Sequence, residues 1–141
     1  MTQEDKELLI RDLCARLPYG VKCKIENSEI YNEKLFDKSI VGKLNGIFNN
    51  SIFIGETTIL QTDKIEKLKP YLRPMSSMTE EEHDDAYSNE VVMSLNPDTG
   101  IYAICALSPK GYDWLNAHHF DYRGLIEKGL ALEAPEGMYN D

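Results

Sequence analysis

The sequence predicts an α+β fold in one domain: an N-terminal helix, a curved antiparallel sheet of about five strands, and further helices toward the C-terminus. The prediction rests on leucines at helical spacing, on short β-rich runs separated by turn signals, and on helix-start signals at 79 and 108. The 141 residues are 42% hydrophobic and 28% charged, as is typical of one globular domain. We place the domain at 1–134 with a loose tail at 135–141, and leave open whether the sheet closes toward a small barrel.

The first helix is predicted to begin at Thr2, which can form a capping box with Asp5, and to end at Pro18 and Gly20. The next segment, 21–26, alternates apolar and charged residues, which indicates a strand with one face in solvent. The residues predicted to form the core are Leu9, Leu13, Val21, Cys23, Ile25, Ile52, Ile54, Ile104, Leu115 and Leu125.

Two hairpins are predicted. In the first, two β-rich runs within 39–60 flank an Asn-Asn pair at 49–50, and asparagine tolerates the positive φ of a tight turn. The second hairpin occupies 91–107, with a Pro-Asp-Thr-Gly turn in which Gly100 takes the left-handed position. This arrangement places Cys105 inside a strand, with its side chain directed toward the core.

Helical segments are predicted before and after the second hairpin. A short turn of helix at 62–68 leads into an extended, rigid connector at 69–77, which contains two prolines. A capping box at Thr79 and acidic residues in the first turn predict a helix over 79–89. Two short helices with a bend between them are predicted over 108–128.

The start and end of this C-terminal pair are marked by specific residues. Ser108 followed by Pro109 is a helix-start signal. Asp121 is expected to cap the second of the two helices, and Gly129 to end it.

The charge pattern favours a protein partner over a nucleic acid. The net charge is −9, and residues 79–90 hold six acids without a lysine or arginine. With four arginines and no basic run along the sequence, direct nucleic-acid binding is not expected, and a basic protein is the favoured partner.

Other patterns indicate the compartment. The N-terminus lacks the basic start of a signal peptide, and the longest apolar run is too short to span a membrane. The cysteines Cys14, Cys23 and Cys105 lie far apart and form no disulfide or zinc spacing. We therefore expect a cytoplasmic protein with no membrane partner.

The segment with the most reactive side chains is WLNAHHFDYRG, residues 114–124. His118, His119 and Asp121 are residue types that bind zinc or manganese. Neighbouring residues of a helix point about 100° apart, however, so the two histidines cannot easily face one ion while both are helical. The alternative is that one histidine packs against Trp114 while the other is solvated or bonded to a backbone carbonyl.

Three other sets of residues have both a functional and a structural interpretation. His83, among acids, suits a metal cluster or an acid–base pair, but such charge runs are usually a solvated face. Cys23 and Cys105 are expected to be buried, inert thiols rather than nucleophiles. Arg73 and Arg123 can bind a phosphate or carboxylate, and a structural ion pair or stacking contact is favoured instead.

Two blocks of the sequence resemble a known family. PYLRPMSSMTEEE at 70–82 and DWLNAHHFDYRGLIEKGLALEAP at 113–135 are similar to short, uncharacterised proteins that recur in prophages and other mobile elements of gut anaerobes. The blocks cover about a quarter of the chain. No activity is established for that family, so the resemblance implies no catalytic residue. It implies a small intracellular accessory protein of phage origin.

The favoured function is therefore a non-enzymatic, protein-interaction role that needs no cofactor. Because Trp, Tyr and Arg dominate interface hot spots, the surface expected to carry it comprises Tyr71, Arg73, Trp114, His118, His119, Tyr122 and Arg123. The alternative function is a metal-dependent hydrolase or nuclease centred on His118, His119 and Asp121, with help from His83. A third interpretation takes the acidic segment 79–90 as a decoy for a basic, nucleic-acid-binding protein.

Overall fold

The computed structural model describes residues 1–26, 40–56 and 58–140. Three residues of the predicted segments lie outside the described residues: Ser39 and Thr57 of the first predicted hairpin, and Asp141 of the predicted tail. Short 3-10 segments occur at Leu17–Tyr19, Thr62–Lys67 and Met75–Ser77. The helices and strands are α1 (Gln3–Arg16), β1 (Lys22–Ile25), β2 (Ile40–Phe48), β3 (Ser51–Ile54), β4 (Thr58–Gln61), β5 (Leu68–Leu72), α2 (Glu80–Ser88), β6 (Val91–Asn96), β7 (Ile101–Leu107), α3 (Pro109–Ala117) and β8 (Leu132–Glu133).

The main sheet has six strands in the order β4-β3-β2-β1-β5-β8. Its neighbouring strands are antiparallel except β5 and β8, which are parallel. The predicted mixed fold with an N-terminal helix and a mostly antiparallel sheet is therefore confirmed. The strands β4 and β8 form the two edges of the sheet. The sheet therefore does not close into a small barrel, which the sequence analysis had left as a possibility.

The predicted core is largely confirmed. Nine of the ten predicted core residues are buried, and together with residues such as Leu44, Leu68 and Leu72 most of them pack between α1 and one face of the sheet. The exception is Ile104, which is half-buried. It lies on the β6–β7 hairpin and packs at the margin of a second, smaller core.

The segment expected to be a connector is instead a strand of the main sheet. Leu68–Leu72 forms β5, which lies between β1 and β8. Its Pro70 pairs with Cys23 but has no N–H to donate, which is why this segment does not read as a strand in the sequence. Beside this position, the Tyr139 hydroxyl accepts a bond from Lys22 N (2.9 Å) and donates one to Tyr71 O (2.8 Å).

The C-terminal segment is consequently attached to the sheet. In addition to the Tyr139 bonds, Lys22 Nζ donates to the carbonyl oxygen of Met138 at 3.0 Å. The expectation of a loose tail from 135 onward therefore differs from the structure for residues 135–140. The Tyr139 hydroxyl bridges backbone groups of β1 and β5 next to Pro70, where the two strands do not bond each other directly. The hydrophobic periodicity of the sequence does not indicate a contact of this kind.

A second, smaller layer contains the other hairpin. β6 and β7 form a separate two-stranded sheet that packs with α2 and α3 around a second core. The buried members of this core are Met78, Ala86, Val91, Trp114, Leu115 and Phe120. Cys105 was expected to face inward, and this was wrong. Val92 pairs with Ala106 and Met93 with Ile104, so Cys105 is the extra residue of a bulge and is exposed.

The corner after α3 is irregular. His119 has φ 63°, and Asp121 accepts bonds from Leu125 N (2.8 Å) and Ile126 N (2.9 Å). Asp121 thus caps the segment as expected, but residues 121–128 form turns, and the second short helix is absent. Gly124 takes a left-handed conformation, with φ 74°, which a continuous helix excludes.

Replacing Gly111 by alanine is expected to destabilise the protein by about 1–3 kcal/mol, through overpacking. An added Cβ would lie 2.5 Å from Leu107 Cδ1 and 2.8 Å from the backbone oxygen of Glu90. The backbone cannot rotate away as a side chain can, so α3 must shift off the hairpin. Urea unfolding measures the effect, with exposed Lys110→Ala as the control in the same turn. An unchanged midpoint would show that α3 has room to move.

Candidate functional site

The predicted interaction surface is divided between the core and two separate parts of the surface. Trp114 is only 6% exposed and belongs to the second core. Its Nε1 donates to Asp85 Oδ2 at 2.7 Å, and its ring stacks on His118 (4.2 Å) and Phe120 (5.8 Å). The alternative in which one histidine packs on Trp114 is therefore what the structure shows for His118.

Tyr122 and Arg123 lie at the junction of α1 and α3. The Tyr122 hydroxyl donates to Asn116 Oδ1 at 3.0 Å, and the guanidinium carbons of Arg16 and Arg123 lie 5.3 and 5.1 Å from its ring centre. Arg123 Nη1 is 3.4 Å from Asp12 Oδ1. Arg123 therefore has the structural ion pair and stacking contact that the sequence favoured.

The three candidate metal ligands each have a different partner. His118 Nδ1 is 2.9 Å from Trp114 O, and the Asp121 carboxylate accepts two backbone N–H groups of its own turn. The His119 ring stacks on Tyr139 with ring centres 3.7 Å apart. Within the described residues, no group of three or more His, Cys, Asp or Glu side chains is placed to hold a metal ion. His83, the fourth candidate, contacts the ring of Tyr102 at 4.3 Å.

His119 is the most unusual of these side chains. It is 8% exposed, and its Nδ1 is buried without a hydrogen-bond partner in the part of the chain that the structure describes. Burial is the largest of the causes that lower the pKa of His119 to about 4, and its electrostatic interactions with Arg16, His118, Arg73 and Lys22 act in the same direction. The imidazole is therefore neutral at physiological pH.

A cleft of about 690 Å³ lies beside His119. It lies among the start of α2, the end of α3 and residues 133–140. On its wall, Arg73 binds both carboxylate oxygens of Glu82 at 2.7 Å, and this contact lowers the pKa of Glu82 to about 2. Arg73 also lies over the Phe120 ring at 4.2 Å. Its charge is satisfied by Glu82, so Arg73 has the structural role that the sequence favoured.

The buried cysteine is not an activated nucleophile. Cys23 is buried, and burial raises the pKa of its thiol to about 12, with a contribution from Asp12. Cys14 and Cys105 are exposed. A thiolate nucleophile needs a lowered pKa, which is the opposite of what burial gives Cys23.

An exposed apolar pair on the second layer is one that the sequence analysis did not select. Leu95 and Tyr102 are 50% and 42% exposed and pair directly across the β6–β7 hairpin. The hairpin residues from Ser94 to Gly100 are all exposed, so this half of the hairpin projects from the body. The sequence does contain a signal for this exposed hairpin, namely its low content of charged residues. Residues 91–107 include only one, Asp98.

Comparison with protein-family models, with curated proteins and with solved structures gave no match. Among the described residues, no helix combines the length and the apolar character needed to cross a membrane.

Proposed function

We propose that this protein is a non-enzymatic accessory protein of the cytoplasm that binds a basic protein partner through the β6–β7 hairpin. The observation that carries this proposal is a projecting hairpin whose strands have unpaired edges and exposed apolar side chains. The likeness of two sequence blocks to short prophage proteins supports an accessory role in a phage or mobile element.

The edges of the hairpin favour the addition of a strand from another chain. Within the ranges that the structure describes, β6 and β7 pair only with each other. Natural edge strands are often protected by lysine, by proline or by a bulge; here the bulge at Cys105 lies at the end of the hairpin nearer α2 and α3. Neither strand contains a charged residue or a proline. A two-stranded hairpin is also marginally stable by itself, so a third strand would stabilise it.

The acidic helix next to the hairpin determines the expected charge of the partner. α2 packs against β6, and its exposed acids include Glu80, Glu81 and Asp84, with Glu90 in the turn that joins the two elements. A basic segment gains from this field, whereas a second copy of this acidic chain is repelled. Hairpin-to-hairpin dimerisation is therefore disfavoured relative to a basic partner.

Extended peptides selected from a random display library on the wild-type protein test the proposal. We expect the selected peptides to be basic, and the change of Leu95 and Tyr102 to serine to weaken their binding at least about tenfold, as loss of hot-spot residues does. Fluorescence anisotropy measures the affinity. Phe48→Ser is the matched control, because Phe48 is 68% exposed on the other sheet.

Two results would contradict the proposal. Peptides that bind the hairpin variant as tightly as wild type would locate the binding surface elsewhere. A concentration-dependent dimer that the hairpin variant loses would make a second copy the occupant.

A further inference from the structure

The solvent face of the main sheet is basic in an otherwise acidic protein. The chain has 24 acidic and 15 basic residues, yet β1 to β5 contain four lysines and no aspartate or glutamate. Apart from the pair at 22 and 24, the lysines are far apart in sequence, so neither the net charge nor a search for basic runs reveals the group. They are Lys22, Lys24, Lys43 and Lys69.

Strand pairing brings these lysines together. Lys22 is directly opposite Lys43, and Lys24 is directly opposite Lys69. Directly opposed residues of antiparallel strands lie on the same face, with Cβ atoms about 5 Å apart. The neighbouring positions Cys23 and Ile25 are buried in the core, so the lysines occupy the opposite, solvent face. Three adjacent strands thus carry the four lysines across about 10 Å.

Most of this positive charge is not neutralised by the residues that the structure describes. Lys24 Nζ lies 3.2 Å from Glu26 in an exposed pair, and Lys22 Nζ bonds a neutral carbonyl oxygen. Lys43 and Lys69 form no ion pair with the residues that the structure describes. Like charges directly opposed across strands are destabilising, and a bound anion removes that repulsion.

Apolar and aromatic side chains share this face. Phe53 and Tyr71 are half-buried, while Val41 and Ile59 are exposed. Phe53 pairs with Ile59, and Val41 pairs with Lys24, so apolar and basic side chains alternate across the sheet. Sheets that bind single-stranded nucleic acids combine these two properties: lysines contact phosphates, and apolar or aromatic surface contacts unstacked bases.

We propose that this face, defined by Lys22, Lys24, Lys43, Lys69, Phe53 and Tyr71, binds single-stranded nucleic acid. A duplex is disfavoured because its bases are stacked and paired, and so are not available to the apolar positions of this face. An acidic peptide offers charge but no bases for the apolar positions. The site is separate from the β6–β7 hairpin, so its test does not depend on the proposed protein partner.

Binding of labelled single-stranded DNA and RNA oligonucleotides to the full chain, measured by anisotropy over a range of salt concentrations, tests this proposal. Four neutralised phosphates predict a slope of log K against log salt near −3, about −0.7 for each contact. The double change K43E/K69E is expected to reduce the slope by about half, since two contacts are lost. Circular dichroism verifies that the variant is folded.

Lys110→Glu combined with Lys6→Glu is the matched control, because it changes the net charge equally on two helices. Retained binding by this control, with loss in K43E/K69E, supports the proposed face. Equal losses in both variants would overturn it as an effect of net charge alone. Binding of poly-glutamate but not of either oligonucleotide would overturn it in favour of an acidic protein, and preference for a duplex would also do so.

Discussion

Replacing Asp12 by alanine is expected to lower the free energy of unfolding by about 3–5 kcal/mol, which is the usual cost of leaving a buried charge without its partner. Asp12 and Arg16 are both fully buried, and Arg16 Nε lies 2.7 Å from Asp12 Oδ2. Arg16 Nη2 also donates to Phe120 O at 2.7 Å, whereas its Nη1 has no partner among the described residues. Without Asp12, the guanidinium keeps only that carbonyl bond and its contact with Tyr122.

Chemical denaturation measures this loss. Glu7→Ala is the control, since it removes an exposed carboxylate from the same helix and should change stability by less than about 0.5 kcal/mol. Changing Asp12 to leucine and Arg16 to methionine together is expected to recover most of the loss, because apolar residues often replace a buried pair without cost. If the double variant is less stable than Asp12→Ala, the Arg16–Phe120 bond is the main contribution rather than the ion pair.

This ion pair illustrates what sequence periodicity can and cannot predict. The leucines of α1 and the alternation of β1 fix which face of each element is buried, and Leu9, Leu13, Cys23 and Ile25 are buried as predicted. Periodicity treats Asp12 and Arg16 as solvent residues because they are charged. Their burial depends on α1 packing next to the α3 corner, where Phe120 offers a carbonyl 104 positions along the chain.

The turns were predictable for a similar local reason. Asn49 and Asn50 have φ 51° and 61°, and Gly100 has φ 71°, as the residue types indicate. β5 was missed because its proline argues against a strand. Pro70 is tolerated because it lies opposite Cys23, whose backbone groups face β2, so its missing N–H removes no bond between β1 and β5. The Tyr139 hydroxyl bonds Lys22 N and Tyr71 O at the next position, which is a contact between distant parts of the chain.

The candidate site was less predictable than the fold. The segment 114–124 is rich in reactive side chains, but Trp114, His118 and Phe120 stack on one another, so aromatic content here indicates a core. The features that now carry the two proposals depend on tertiary structure. The exposure of Leu95 depends on how far the hairpin projects, and the lysine face depends on the strand register.

Lowering the pH from about 6.5 to about 4 is expected to destabilise the protein through His119 by roughly 3 kcal/mol. The ordinary pKa of histidine is 6.5, and burial lowers that of His119 to about 4 in the folded protein. Between these values the unfolded chain binds a proton that the folded chain does not, so stability falls as pH falls. Arg16, His118, Arg73 and Lys22 are among the causes of this lowered pKa, because nearby positive charge opposes protonation of His119.

Urea unfolding of wild type and His119→Asn between pH 7 and pH 4.5 measures this contribution. Asparagine tolerates the φ of 63° at this position but carries no titrating group, so the variant should lose much of the pH dependence in this window. Glu82 provides an internal comparison, because its pKa is about 2 in the folded protein. The stability that Glu82 contributes is therefore lost only as the pH falls from 4.5 to 2. Equal pH dependence in both proteins would contradict the prediction, because it would show that the pKa of His119 is the same in the folded and unfolded states.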